Sequence, residues 1–519
     1  MVSFLRNDRL VVGLFFIGAV LLGFISVLVI NRGVFTYMLD DPYIHLAVAE
    51  ELAQHGTYGV NPGESSAPCS SPLWPFLMVP FAKLPCFVLA PFFLSVAAGL
   101  ATALLALGRI RRWFPQDALT LLPAGITIAF LLATNIIGLV FTGMEHSLQV
   151  LLAVVVIEGM LRLAEGAKPT GWVQLAVVIG PWIRYENLAL TLPYLAMLFL
   201  TGKRTRAVAL GFTALSGLIA FSAYLISLNL SPIPASIQAK SSFTDQNFLY
   251  AALHNIKLSL AHGRGTLVAI LVSILLGIAI AWKQGGIWRL TACLMACAGA
   301  LHLVAGAYGW VNRYEIYIIA GLIWGLAGTA AAFLRAADIR PGPRFAWAVL
   351  PLVPTIGLPY FQGLAVLPLA CNNIYEQQYQ MHRFVVDFWR KPVAVNDLGY
   401  VAFENPQYVL DLWGLASIEA LKARLHGEPT GWMSDLSKRH DVGLAMVYAP
   451  WFQNRPPEWK PIAVLRLSRK LITPAWNEVT FYATSADYSS DIKDTILRFR
   501  SSLPQGVVIE DIVDPNSKL

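Results

Sequence analysis

The sequence predicts an α-helical, multi-pass membrane protein that carries a water-soluble α/β domain at its C-terminal end. Three observations predict it. The chain of 519 residues is 56% hydrophobic and only 13% charged, which is more apolar surface than one soluble core can hide. Eleven apolar stretches follow one another, near 10–30, 87–108, 118–141, 147–163, 172–184, 187–201, 207–230, 265–282, 290–309, 314–334 and 345–367. A bilayer core needs about 20 apolar residues per helix, because no backbone polar group can be left unpaired there. After residue 370 charged residues return and short β-rich runs replace the apolar stretches. The expected division is therefore a membrane module, 1–370, with a long first loop at 31–86, and a soluble domain at 371–519. The fifth and sixth stretches are short for full spans.

Lys and Arg in alternate loops set the orientation, since basic loops stay cytoplasmic. One set of loops, from Arg6 and Arg9 through Arg109, Arg111, Arg112, Lys203, Arg204 and Arg206 to Arg340 and Arg344, holds 15 basic residues against 7 in the other. The N-terminus is expected in the cytoplasm and, with an odd number of spans, the C-terminal domain outside it, as in a bacterial inner membrane. The first apolar stretch lacks a small-residue cleavage site and reads as a retained helix.

The net charge of +7 arises in the membrane module as a topology signal. Its basic residues are dispersed over short loops and form no stripe, which excludes a nucleic-acid partner. The five cysteines show no metal-ligand spacing. Cys293 and Cys297 lie within a span and read as buried packing residues, while Cys69, Cys86 and Cys371 lie near the external face, where one disulfide could form.

The ionisable residues at membrane depth share one side. Asp40 and Asp41 follow the first span, Glu145 and His146 the third, Arg184 and Glu186 the fifth, Lys240 the seventh, and Arg313 with Glu315 the ninth. Any one of these could sit at a helix end simply because charge is tolerated there. Together they mix acids, bases and an imidazole as a reaction site does.

The first external loop opens DDPYIHLAVAEELAQHG. Asp41 before Pro42 suits an N-cap, and Gly56 suits a stop, with Ile44, Val48 and Leu52 on the apolar face of a helix lying along the membrane surface. Asp41 then has a capping role available, and Asp40 does not. Asp40 could serve as a general base towards a hydroxyl, and the two aspartates together could hold a divalent cation that bridges a phosphate. His45 stands four residues from Asp41 and could share its face. Further along, the proline- and aromatic-rich stretch after Pro72 reads as a second interfacial element anchored by Trp74 at headgroup level.

These residues resemble a family. The run DDPYIHLAVAEELAQHGTYGVNPGESSAPCSSPLW is similar to the first-loop signature of GT-C superfamily glycosyltransferases that use polyprenyl-phosphate sugars, in particular the branch of bacterial arabinofuranosyltransferases. TGMEHSLQVLL at 142–152, RYENLAL at 184–190, SPIPASIQAK at 231–240, NRYEIYIIAGL at 312–322 and VNDLGYVAFENPQYVLDLWGLAS at 395–417 fit the same pattern. Pro68, Cys69 and Ser70 stand where that branch has an aromatic and small polar residues, and Tyr185 where it has proline. The resemblance implies a GT-C fold and an inverting transfer of a sugar, with arabinofuranose the branch's example, from a polyprenyl-phosphate donor to a hydroxyl of an envelope glycan or protein. It implies Asp40 as base. Lys240, Arg184 and Arg313 are the external cations available to the donor phosphate, with Glu145 and Glu186 ordering them.

In the C-terminal region, PVAVND at 392–397, QYVLDLWG at 407–414, VGLAMVY at 442–448 and PIAVLRL at 461–467 read as strands, with helical stretches between several of them, so α/β is expected. Trp413, Trp432, Trp451, Trp459 and Trp476 could stack on sugar rings or fill the core. Two other classes compete. A transporter or flippase of lipid-linked saccharide would place ionisable residues at the midplane of broken, paired helices; a non-catalytic assembly protein would need no acidic pair at the membrane interface.

Overall fold

A computed structural model describes residues 7–113, 121–240, 248–283, 285–338, 352–429 and 431–512, apart from the side chains of Lys240, Phe248, Leu352 and Pro354. Seven of its helices are long and apolar enough to cross a membrane: Asp8–Ile30, Phe87–Trp113, His146–Ala164, Arg204–Ser227, Gly263–Ala281, Gly286–Ala305 and Ile316–Ala336. Shorter apolar helices, Leu122–Ala133, Gly171–Ile183 and Tyr185–Leu200, fill three further expected positions. The helix Leu352–Glu376 covers the described part of the last one; residues 339–351 lie outside the described residues. The chain is thus a polytopic helical protein. Val208, Phe212, Leu215 and Ile219 form an outward stripe along Arg204–Ser227, all more than half exposed, an arrangement that suits lipid and would be a liability in water.

Three expectations about the membrane part change. The third stretch, 118–141, is not one helix: Leu122–Ala133 ends at Thr134, and Asn135, at φ 49°, turns the chain into a short helix, Ile136–Val140. The left-handed residue ends the first hydrogen-bonding register and starts another. Cys293 and Cys297 are exposed on the outside of their helix, not buried, and Cys69, Cys86 and Cys371 are all free thiols, so the possible disulfide is not formed.

The first loop also differs. Its helix Asp41–His55 is not a half-exposed surface helix: every residue from Pro42 to Ala49 is buried. The cap is shifted by one, with Asp40 at the N-cap position, Pro42 in the first turn and Gly56 ending the helix at φ 69°. Sequence amphipathy could not reveal this burial, because the cover comes from the far end of the chain. Tyr43 lies against Tyr400 with ring centroids 3.9 Å apart. Trp74 opens the short helix Trp74–Met78 but is only 1% exposed, so it is a core residue and not a headgroup anchor.

The C-terminal domain is α/β, with a six-stranded mixed sheet. Its strands are β1 (Val393–Val395), β2 (Val409–Asp411), β3 (Leu444–Val447), β4 (Lys460–Arg466), β5 (Glu478–Ala483) and β6 (Val508–Asp511), ordered β2-β1-β3-β5-β4-β6. β1 runs parallel to β2 and β3, whereas β5, β4 and β6 are antiparallel neighbours. The parallel strands are fully buried, as strands covered on both faces must be. The expected boundary at 370/371 falls inside the continuous helix Leu352–Glu376, which carries the chain from membrane module to sheet. The first loop is bound to this domain as well. Asn61 uses its amide in both directions on Val409, donating to its carbonyl at 3.0 Å and accepting from its N–H at 2.9 Å.

Candidate functional site

The loop ends that carry Asp40 and Asp41, Glu145, Arg184 and Glu186, and Arg313 converge where the first loop, the membrane helices and the C-terminal domain meet. The helix Gly171–Ile183 stops at Arg184, which has extended backbone, and a 3-10 turn at Tyr185–Asn187 leads into Leu188–Leu200. That break turns the buried Arg184 guanidinium towards the N-terminus of His146–Ala164. There Nη1 donates to Glu145 Oε1 at 2.8 Å and to Ser70 Oγ at 3.2 Å. Nε and Nη2 fork onto Glu186 at 3.1 and 2.5 Å. Arg184 is thus enclosed by two carboxylates, which offset the cost of burying its charge.

Arg313 is built differently. Trp310, Val311 and Asn312 precede it with φ of 47°, 67° and 53°. Three left-handed residues in a row, one β-branched, hold strain of roughly 1–3 kcal/mol each. The turn they make drives Arg313 inward, leaving it 1% exposed. Its Nη2 donates to Asp41 Oδ2 and to Tyr314 Oη. Its Nε and Nη1 have no hydrogen-bond partner among the described residues. Both guanidiniums face the Tyr314 ring, Arg184 at 5.6 Å and Arg313 at 4.8 Å from its centroid. The side chains of Asp41 and Glu186 keep 29% and 24% exposure, so the cluster has an open edge.

Asp40 engages the C-terminal domain. Its Oδ2 accepts the Gly399 N–H at 2.7 Å and its Oδ1 the Tyr400 N–H at 2.8 Å. This reverses the capping roles read from the sequence: Asp40 holds backbone N–H groups, of another segment, and Asp41 pairs with Arg313. Each carboxylate oxygen has two lone pairs, so one on each remains for a further donor. Burial pushes the Asp40 carboxyl well above the usual carboxylate range, and the nearby Asp397 charge adds to the rise. Asp397 is itself raised by burial. It accepts hydrogen bonds from Tyr448 Oη at 2.5 Å and Gln378 Nε2 at 2.9 Å.

Asp397, Tyr448 and Gln378 were not singled out in the sequence. The available signal was Asn-Asp-Leu-Gly directly after an apolar β-run, a polar pair followed by the glycine that lets the backbone reach Asp40. His45 is buried at 3% exposure; burial lowers its pKa, with Glu145, Asp41, Arg184 and Arg313 as its charged surroundings. Lys240 ends the helix Ala235–Lys240, and its side chain lies outside the described residues.

The donor set does not fit a divalent cation. No group of three or more His, Cys, Asp or Glu able to hold a metal occurs among the described residues. The Asp40 oxygens face N–H groups and Asp41 faces a guanidinium, where a cation would be repelled.

Residues 372–482 match a family described as a domain of unknown function (DUF8728). That stretch takes in β1 to β4, all of β5 but its last residue, and the Asp397 network. Among curated proteins none matches the sequence. The crystal structure of the Archaeoglobus fulgidus oligosaccharyltransferase, in complex with Zn and sulfate, is similar to this chain with a TM-score of 0.48 and 11% identity, over 95% of this chain and 75% of that one. At that similarity the functional reading rests on the site's own chemistry.

Proposed function

We propose that the protein is a GT-C type membrane glycosyltransferase that moves a sugar from a polyprenyl-phosphate donor to a hydroxyl of an envelope glycan or protein. Arabinofuranose is the sugar favoured by the sequence resemblance, and the extracytoplasmic face is the side favoured by the loop charges. The observation that carries the reading is the buried Arg313 guanidinium, which has two spare donor nitrogens, sits on Asp41 and flanks the same tyrosine as Arg184. A phosphate leaving group needs such donors where its charge develops.

Asp40 takes the proton from the acceptor hydroxyl as that oxygen bonds to the anomeric carbon. The bond from that carbon to the phosphate oxygen breaks at the same time, with its electron pair leaving on the phosphate and inversion at carbon. The raised proton affinity of Asp40 suits a general base. Gly399 and Tyr400 orient it, Asp41 positions Arg313, and Glu145 and Glu186 position Arg184. Arg313, Arg184 and Lys240 stabilise the departing polyprenyl phosphate.

The test is transfer by the purified full-length protein in lipid nanodiscs, from a short-chain prenyl-phosphate arabinofuranose to an envelope glycan extract, read by mass spectrometry. Asp40→Asn is expected to lose transfer while retaining binding of the donor. Wild-type activity in that variant would refute the assignment of the base. Envelope glycans and glycoproteins unchanged after removal of the protein would refute the function.

A further inference from the structure

Between the turn before Arg313 and the C-terminal domain lies a cleft of about 420 Å³. This is within the range of small-molecule sites, roughly 300–1,000 Å³. Its walls hold three tryptophans from three separate segments: Trp310 from the strained turn before Arg313, Trp451 from the turn after β3, and Trp476 from the loop between β4 and β5. They are 51%, 37% and 40% exposed, whereas Trp74 and Trp324 are fully buried and Trp459 is 3% exposed. Large rings left open to a shared cleft by three segments mark a binding surface.

We infer that this cleft is the subsite for the acceptor saccharide, an inference that rests on the glycosyltransferase reading above. A sugar ring has one face of C–H groups and a rim of hydroxyls. Indole offers a flat apolar face with an N–H at its edge, which meets both requirements. The walls are also held in place. Asn373 accepts the Ile472 N–H at 2.7 Å, and Gln377 Nε2 donates to the Trp476 carbonyl at 2.9 Å, so the end of helix Leu352–Glu376 fixes the Trp476 loop.

Two of the cleft's tryptophans are linked to the centre through neighbouring residues. Trp310 stands three residues before the arginine that holds Asp41. Trp451 packs edge-on to Tyr448, with centroids 5.3 Å apart, and Tyr448 donates to Asp397, whose charge acts on Asp40. A glycan stacked here would lie against the turn that leads into Arg313 and against Trp451, which packs on Tyr448.

The experiment is saturation-transfer NMR of the full-length protein in nanodiscs with short neutral oligosaccharides of arabinose, mannose and galactose. At least one is expected to bind through its C–H protons, about tenfold more weakly in Trp451→Ala and Trp476→Ala, with most binding restored in Trp451→Tyr. Equal binding by wild type and both alanine variants, or no binding by any, overturns the inference. Brominated lipid chains that quench fluorescence in wild type and lose that quenching in Trp476→Ala would also overturn it, since the cleft would then seat lipid. Tryptophan-dependent binding in a protein that transfers no sugar would leave the cleft standing and remove the enzymatic reading. Transfer that is unaffected by either alanine change would do the reverse.

Discussion

Gly399→Ala is the most informative single change, because Gly399 is where the C-terminal domain approaches the proposed base most closely. A methyl group there would meet the Asp40 backbone carbonyl and stand 2.7 Å from Oδ2. The neighbouring atom is backbone on one side and a carboxylate held by two N–H groups on the other, so neither yields easily. Overpacking of this kind costs about 1–3 kcal/mol. Loosening one of the two charged hydrogen bonds adds roughly 1.5–3 kcal/mol. Some of this is recovered by a shift of the segment, which leaves about 2–4 kcal/mol against docking of the domain. The same shift displaces the carboxylate by a fraction of an ångström to an ångström, enough for a loss of about 100-fold in kcat. The assay pairs transfer kinetics with hydrogen exchange, in which the Gly399 and Tyr400 amides should lose protection while those of β3 and β5 keep theirs. A variant with normal kcat and normal protection at both amides would refute the argument that this contact orients the base.

The acid limb of kcat/KM should lie above the ordinary carboxylate range of about 4, because Asp40 acts deprotonated and its pKa is raised; Asp397→Asn removes a like charge and should move the limb to lower pH in a pH–rate profile. Arg184→Ala leaves the buried Glu145 without its partner and should cost about 3–5 kcal/mol, seen as a large fall in Tm by thermal unfolding in detergent. Arg313→Lys keeps the charge but loses the fork, so KM for the donor should rise about tenfold or more, measured by initial rates. Asp411, with its carboxyl pushed up to about 6 from 3.8 by burial, gives stability that is fully present below about pH 4 and lost as pH rises through 6. That amounts to about 3 kcal/mol, and Asp411→Asn should flatten this part of a Tm-against-pH curve.

The membrane helices were legible because length and apolarity are demanded by the bilayer itself, whatever the tertiary packing. Expected stretches such as 207–230 and 290–309 coincide closely with Arg204–Ser227 and Gly286–Ala305. The break at Asn135 was not, since one left-handed residue in an apolar run leaves no periodic trace. Strands β1 to β4 lie within the apolar runs read at 392–397, 407–414, 442–448 and 461–467, whereas β5, whose sequence EVTFYA is as β-like as theirs, and β6, four residues ending in Glu510 and Asp511, were not read as strands. The site's charged residues were visible as types at helix ends, and their pairing was not. Whether Asp40 or Asp41 would hold an arginine depended on Gly399, more than 350 residues away in the chain. For the same reason the helix Asp41–His55 read as a surface helix: its cover is a segment no local pattern connects to it.

β2 is an outer strand of the sheet, and an outer strand offers unpaired amides and carbonyls to any passing chain. At Val409 both groups are already taken by a single carboxamide, which imitates one residue of a neighbouring strand and stops there. The sheet is thereby closed to growth on that flank by a residue of the first loop, and a chain with Ala at position 61 would leave the flank open to self-association.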